Sequence, residues 1–271
     1  MTEAQGNSSD DKAVVVTGCS SGIGKQIALT LAENDFLVFA TVRKENDAEI
    51  LKRLGLPGLV PVCPLDLANL EQINNARGTI LAELKKRNRD GLDGLVNSGG
   101  GGVPAPVEWL DLQKFHQELK ARVLGWTAMT QAFLPLLRKA GGRIIWIMTP
   151  GLIPTPYVTM IHACDFAVNC LVRTLDIELK QSGVANVMVR CGGIRTPAGL
   201  RTVQDVEALL QNIPPGRAVL YEKALREWAL EMEKFDRKRT ASAEVAAVVM
   251  KALLARKPRR RYSVGHMSRA A

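Results

Sequence analysis

The sequence predicts one α/β domain, a doubly wound parallel sheet covered by helices. Three observations carry this. Short β-branched runs alternate with stretches of helical periodicity along most of the chain. The runs are apolar throughout, as strands covered on both faces must be. The chain has 271 residues, 46% of them hydrophobic, enough for one large core.

The elements follow in order. "AVVVTG" (13–18) is a buried strand that stops at glycine, and 23–34 carries apolar residues at helical spacing. "FLVFATV" (36–42) is the second strand and 47–54 a short helix. "LVPVCPLD" (59–66) holds the third strand, and 70–88 is a helix. "GLDGLVN" (91–97) is the fourth strand, 110–138 a long helical stretch, and "GGRIIWIM" (141–148) the fifth strand. Residues 157–181 form another helix and "ANVMVRC" (185–191) the sixth strand. Strands joined by helices imply right-handed crossovers. Only 196–239 breaks the alternation. It is polar, carries "IPPGR", and reads as a helical substrate lid over the C-terminal edge of the sheet. The domain therefore spans 13–271, after a flexible N-terminus of residues 1–12.

Bulk properties exclude several classes. "MTEAQGNSSDDK" lacks the order of a signal peptide, and no apolar run is long enough to cross a bilayer, so no membrane partner is expected. Cys19, Cys63, Cys164, Cys170 and Cys191 show no paired or metal-like spacing, which points to a reducing, cytoplasmic setting. His116 and His162 form no ligand set with them, so no metal is expected, and helical geometry turns His162 toward the surface. Cys164 has no flanking base and reads as a packed thiol. The net charge is +9, part of it in "RKPRRRY" (256–262). That run reads as a basic helix end before a final strand, "RYSVG"; no aromatic residues are interleaved for stacking, so no nucleic acid is expected.

"TGCSSGIG" (17–24) follows the first strand and opens the first helix. Gly18 permits the turn, while Gly22 and Gly24 let backbone approach a pyrophosphate at the helix N-terminus. Ser20, Ser21 and Ile23 lie in the same turn and are assigned to the cofactor with the glycines. After the second strand, an acid would repel a ribose 2′-phosphate; here Arg43 and Lys44 stand, which selects NADP(H). Asp66 fits an adenine-edge contact. "NSGGGG" (97–102), with Asn97 and Gly99, offers bare backbone to the nicotinamide-side ribose.

Together these residues resemble the short-chain dehydrogenase/reductase family, with its Rossmann-type fold. Its glycine motif is matched by Thr17, Gly18, Gly22 and Gly24. Its Asn-Asn-Ala-Gly motif is matched loosely from Asn97 to Gly100. Its Pro-Gly turn reads Cys191–Gly192, with Thr196 at the nicotinamide carboxamide position. The resemblance implies a homo-oligomer, a dimer or a tetramer. It also implies a catalytic Asn, Ser, Tyr and Lys, and at those positions this chain has Arg122, Met148, Ile161 and Asp165. Thr149 and Tyr157 are close by without the family spacing.

Ile161 and Asp165 share one helix face. A buried carboxylate must be paired. Either Asp165 forms an ion pair with Arg122, or it holds a cationic ligand beside the cofactor, or both. Ketone reduction creates an alkoxide and needs an acid such as Tyr; iminium reduction yields a neutral amine and does not. Trp109, Met148 and Ile161 either line an apolar substrate pocket or pack the core. Loss of Tyr with Asp at the Lys position resembles a fungal branch of the family. Its members reduce an iminium from a prenylated tryptophan–proline aldehyde, then close a bicyclo[2.2.2]diazaoctane by an intramolecular Diels–Alder reaction, as in malbrancheamide- and paraherquamide-type alkaloids. That resemblance implies a small-molecule alkaloid intermediate as substrate. Two alternatives stand beside it: a catalytically silent NADP-binding sensor or scaffold, and a ketoreductase that uses Tyr157 or Thr149.

Overall fold

The structure is a computed structural model that describes residues 12–150 and 154–268. Most of the expected N-terminal segment, residues 1–11, lies outside the described residues.

Seven parallel strands form one sheet in the order β3-β2-β1-β4-β5-β6-β7. They are β1 (Ala13–Val16), β2 (Leu37–Thr41), β3 (Leu59–Val62), β4 (Gly94–Asn97), β5 (Arg143–Met148), β6 (Ala185–Cys191) and β7 (Arg261–Val264). The helices between the first six strands are α1 (Gly22–Ala32), α2 (Glu45–Lys52), α3 (Leu70–Lys86), α4 (Leu112–Glu118), α5 (Trp126–Ala140) and α6 (Thr159–Glu178). After β6 come α7 (Thr202–Gln211), α8 (Pro215–Ala218), α9 (Glu222–Asp236) and α10 (Ser242–Leu254). Among the described residues no helix is long and apolar enough to cross a membrane.

The apolar strands are covered on both faces. Val14 and Val16 of β1 pack into one core layer with α1 and α10. Ala13 and Val15 pack into the other, with α3, α5 and α6. Period-2 alternation thus divides a continuous apolar run between two layers. Strand order reverses at β1 and β4, so the crevice at their C-terminal ends is the ligand position of this topology.

Several helical boundaries differ from the sequence expectation by a few residues, and two of the differences have a visible cause. The 110–138 stretch is α4, then a π-helical segment (Leu119–Gly125), then α5. It begins at Leu112 because the Asp111 side chain caps it, accepting the Gln113 and Lys114 N–H groups at 3.0 and 3.1 Å. α6 begins at Thr159 rather than at Tyr157, because Tyr157 has a φ of +67° and cannot belong to a right-handed helix.

Residues 196–239 carry helices, as expected, and have a small core of their own. Val206, Leu210, Leu225 and Ala229 are buried together, with Trp109, Tyr157, Tyr221 and Trp228 packed against them.

Candidate active site

Three chain ends meet at the crevice. Thr17 Oγ1 accepts the N–H groups of Ser98 and Gly99 at 2.9 and 3.2 Å, tying the end of β1 to the end of β4. Gly18 has a φ of +72°, and a Cβ there would lie 2.7 Å from Gly99 Cα. A Cβ on Gly24 would lie 2.4 Å from the Gly18 carbonyl oxygen. The turn is therefore closed to larger residues at both positions. Ser20 and Ser21 are exposed, and Ser21 at the N-cap of α1 makes no capping bond with its side chain. The first-turn N–H groups of Gly22, Ile23 and Gly24 are left for an anion. Gly22 faces the Thr196 side chain, 3.6 Å from the position of a Cβ. The glycine turn and the loop after β6 thus adjoin at residues 174 apart in sequence.

Arg43 and Lys44 follow β2, exposed and without an ion-pair partner among the described residues. Asp66 already accepts the Ala68 N–H at 2.9 Å through Oδ1, in the turn that opens α3. Asn97 is fully buried, yet neither amide atom has a hydrogen-bond partner among the described residues. Orphaned buried amide atoms at the end of β4 fit a polar ligand in the crevice.

The second half of the site is a buried charge cluster. Arg122 lies in the π-helical segment and Asp165 in α6; they are 7% and 1% exposed. Arg122 Nη2 donates to Asp165 Oδ1. Thr149, just past β5, donates its N–H to Asp165 Oδ2 at 2.9 Å and its hydroxyl to the same oxygen. Both carboxylate oxygens are therefore engaged. Arg122 Nε lies 3.6 Å from Glu118 Oε1, which accepts the Gly101 N–H at 2.8 Å. The guanidinium also stands over the Trp126 ring, 5.2 Å from its centroid, and Trp126 Nε1 donates to the Gly99 carbonyl at 2.9 Å. The glycine loop rests on this cluster. Gly100 has a φ of +150°, and a Cβ there would lie 2.5 Å from Arg122 Cδ. A Cβ on Gly102 would lie 2.7 Å from Ile161 Cγ1.

The structure therefore brings together Arg122, Asp165, Ile161 and the 97–102 loop. It does not bring Met148 to an open wall: its side chain is 5% exposed and belongs to the core layer beside α6. Trp109 packs edge-on against Tyr221 of the 196–239 segment, ring centroids 4.8 Å apart, and its Nε1 is buried without a partner. Tyr157 packs edge-on against Trp228 at 5.5 Å.

His162 corrects the sequence reading. It is half-buried rather than on the surface, its Nδ1 is unpartnered, and burial lowers its pKa. The π-helical segment and α4 both pack on α6, so helical spacing alone does not put the ring on the surface. Burial pushes the Cys164 thiol up to about 11, which leaves it protonated and packed. Among the described residues no group of side chains could hold a metal ion. Two participants escaped the sequence reading, Thr149 as the second partner of Asp165, and Glu118. The signal for Glu118 was present: it lies four residues before Arg122 on one helix face.

Residues 12–207 match the short chain dehydrogenase family. The chain is 33% identical to the 3-amino-tetrahydro-pyrrolizinone reductase of Xenorhabdus hominickii, over 94% of this chain and 87% of that protein. Its fold is that of a short-chain dehydrogenase from Streptomyces avermitilis, with a TM-score of 0.77 at 20% identity, covering 98% of this chain and 91% of that one. It is also that of an alcohol dehydrogenase from Thermococcus sibiricus complexed with 5-hydroxy-NADP, with a TM-score of 0.73 at 21% identity, covering 94% and 96%.

Proposed function

The chain belongs to the short-chain dehydrogenase family, and from that premise we propose that it is an NADPH-dependent reductase of a cationic iminium. The observation that carries this is the buried Asp165 carboxylate beside the glycine loop, one helical turn from Ile161, which stands where a ketone reductase of the family has its proton donor.

The crevice fits NADP(H). The uncapped start of α1 takes the pyrophosphate, Arg43 and Lys44 take the 2′-phosphate, and Asn97 and Thr196 lie along the nicotinamide side. The relative from Thermococcus sibiricus, complexed with 5-hydroxy-NADP, supports this choice. When bound, the cofactor supplies a hydride. Asp165 holds the iminium carbon in line and stabilises its positive charge until the neutral amine forms, and no proton is consumed. Thr149 cannot serve as the acid of a relocated ketoreductase while its hydroxyl is committed to Asp165. The 196–239 segment acts as the lid, with Trp109 and Ile161 as apolar walls. Similarity to a pyrrolizinone reductase supports a nitrogen-containing bicyclic substrate.

The resemblance to the fungal alkaloid branch adds a second step, an intramolecular Diels–Alder closure. That step needs a folded substrate pose and no nucleophile. A homo-oligomer completes the proposal, with the exposed Leu124, Phe166 and Ile177 as its apolar contacts.

One observation favours a second reading, a catalytically silent NADP-binding scaffold: both Asp165 oxygens are already engaged. Anaerobic incubation with NADPH and cyclic iminium salts separates the two. Oxidation of NADPH that falls at least tenfold in Asp165→Ala supports the reductase; no oxidation with any iminium supports the scaffold. A racemic bridged product identical to that in buffer removes the cyclase step.

A further inference from the structure

Arg122 stands between two carboxylates, and only one of them is accounted for by the reading above. The side chains of Arg122, Asp165 and Glu118 are 8%, 1% and 12% exposed. With both acids ionised, one guanidinium faces two carboxylates, and the cluster carries one surplus negative charge largely shielded from bulk water. Such a surplus is costly and is relieved by a proton or by a second cation. Burial, the larger influence, raises the Glu118 pKa, and Asp165 pushes it the same way against the Gly101 N–H and Arg122.

The geometry gives Arg122 a place to go. Its Nε is buried without a hydrogen-bond partner, 3.6 Å from Glu118 Oε1. A small rotation of the guanidinium toward Glu118 closes that distance and releases Asp165 Oδ1. Gly100 leaves the room for this, and the Gly101 N–H holds Glu118 in place. Building on the proposed iminium reduction, we propose that Glu118 is the second carboxylate of this site, a positioning residue that takes over the Arg122 guanidinium when a substrate cation takes Asp165. The surplus charge of the empty cluster is then neutralised by the substrate itself. A neutral ketone of the same shape brings no such charge, so Glu118 selects for cations. The bonds exchanged are hydrogen bonds and ion pairs; no covalent bond changes.

The other titratable groups at the cluster are His162 and Cys164 on α6 and Cys191 on β6. Burial lowers the His162 pKa and raises those of Cys164 and Cys191, so all three are neutral near pH 7 and add no charge to it.

The test is steady-state reduction of N-methyl-3,4-dihydroisoquinolinium, a permanent cation, by the full chain with NADPH between pH 5 and 8. Wild type is compared with Glu118→Gln, Glu118→Asp and Asp165→Asn, each checked by circular dichroism for a wild-type melting transition. Loss of a charge-assisted contact predicts a KM about ten- to a hundredfold higher in Glu118→Gln, with kcat changed far less. Wild-type affinity rises with pH as Glu118 ionises, and Glu118→Gln is flat across that range. Glu118→Asp recovers part of the loss. Reduction by wild type that is lost in Asp165→Asn but unchanged in Glu118→Gln overturns the role of Glu118 and leaves iminium reduction standing. An equal loss of kcat and affinity in Glu118→Gln, with no change in pH profile, also overturns it, because a merely structural role behaves so. A wild-type enzyme that neither binds nor reduces the cation overturns both proposals.

Discussion

Arg122 and Asp165 are 43 residues apart and form a buried ion pair between the π-helical segment and α6. The pair links two elements that no local sequence rule would join, and its second acceptor oxygen is closed by Thr149.

Removing Arg122 leaves the buried Asp165 without its cation, whereas removing Asp165 leaves Arg122 beside Glu118. Arg122→Met should therefore lower unfolding free energy by about 3–5 kcal/mol, and Asp165→Leu by less. Replacing both partners, Arg122→Met with Asp165→Leu, should lose less than the sum of the single changes, because neither charge is then stranded. Urea unfolding of the four proteins in a double-mutant cycle measures this. Additive losses would show that the two residues are energetically independent.

Thr149 contributes two bonds to Asp165, one from its backbone and one from its hydroxyl. Thr149→Val keeps the first and removes the second. A loss of about 1–2 kcal/mol is expected, with Thr149→Ser close to wild type. Equal stability of the Val and Ser variants in chemical denaturation would remove the hydroxyl from the account.

Adjacent glycines in the 97–102 loop should respond in opposite ways. Gly100 is at a φ of +150° and a Cβ would meet Arg122 Cδ at 2.5 Å, whereas a Cβ on Gly101 meets nothing within 4 Å. Gly100→Ala should destabilise the cluster and weaken NADPH binding; Gly101→Ala should do neither. Fluorescence titration with NADPH and thermal melts check both. A Gly100→Ala protein that binds and melts as wild type does would show that the loop is not pinned by Arg122.

Arg43 and Lys44 are exposed and free of ion pairs among the described residues, so their removal should leave the fold intact. Arg43→Ala should raise the Kd for NADPH about ten- to a hundredfold and leave that for NADH nearly unchanged. Parallel losses for both cofactors would place the 2′-phosphate elsewhere.

Most of the fold was legible because it follows from periodicity. Val14 and Val16 against Ala13 and Val15 divide β1 between two layers, and that division is written in a continuous apolar run. The glycine turn was legible because Gly18 and Gly24 leave no room for another residue. The charge cluster was legible only in part. Asp165 stands out as an acid in an apolar helix, and Arg122 through the family resemblance, at the position of its Asn. Thr149 stands out only as a hydroxyl near the catalytic positions; its bond to Asp165 depends on where β5 ends relative to α6, which is a tertiary fact. His162 is half-buried for the same reason, and Met148 takes the core-packing alternative: helix and strand phase say which way a side chain leaves, not what covers it.

The pH dependence of stability holds two opposed contributions. Glu118 has a raised pKa in the folded state. It binds its proton more tightly there than in the unfolded chain, so its contribution is fully present below the ordinary Glu pKa and is lost as pH rises through the raised one. His162 has a lowered pKa. It binds its proton less tightly when folded, so folding is disfavoured as pH falls below the ordinary His value and through the lowered one. Between the ordinary Glu and His values the two contributions have opposite signs. Single variants separate them. Glu118→Gln leaves the His162 slope, so stability should rise with pH across this window. His162→Gln leaves the Glu118 slope, so stability should fall. Melting curves at half-unit steps from pH 4.5 to 7 read both signs. Two variants with the same slope would show that the titrating groups lie elsewhere.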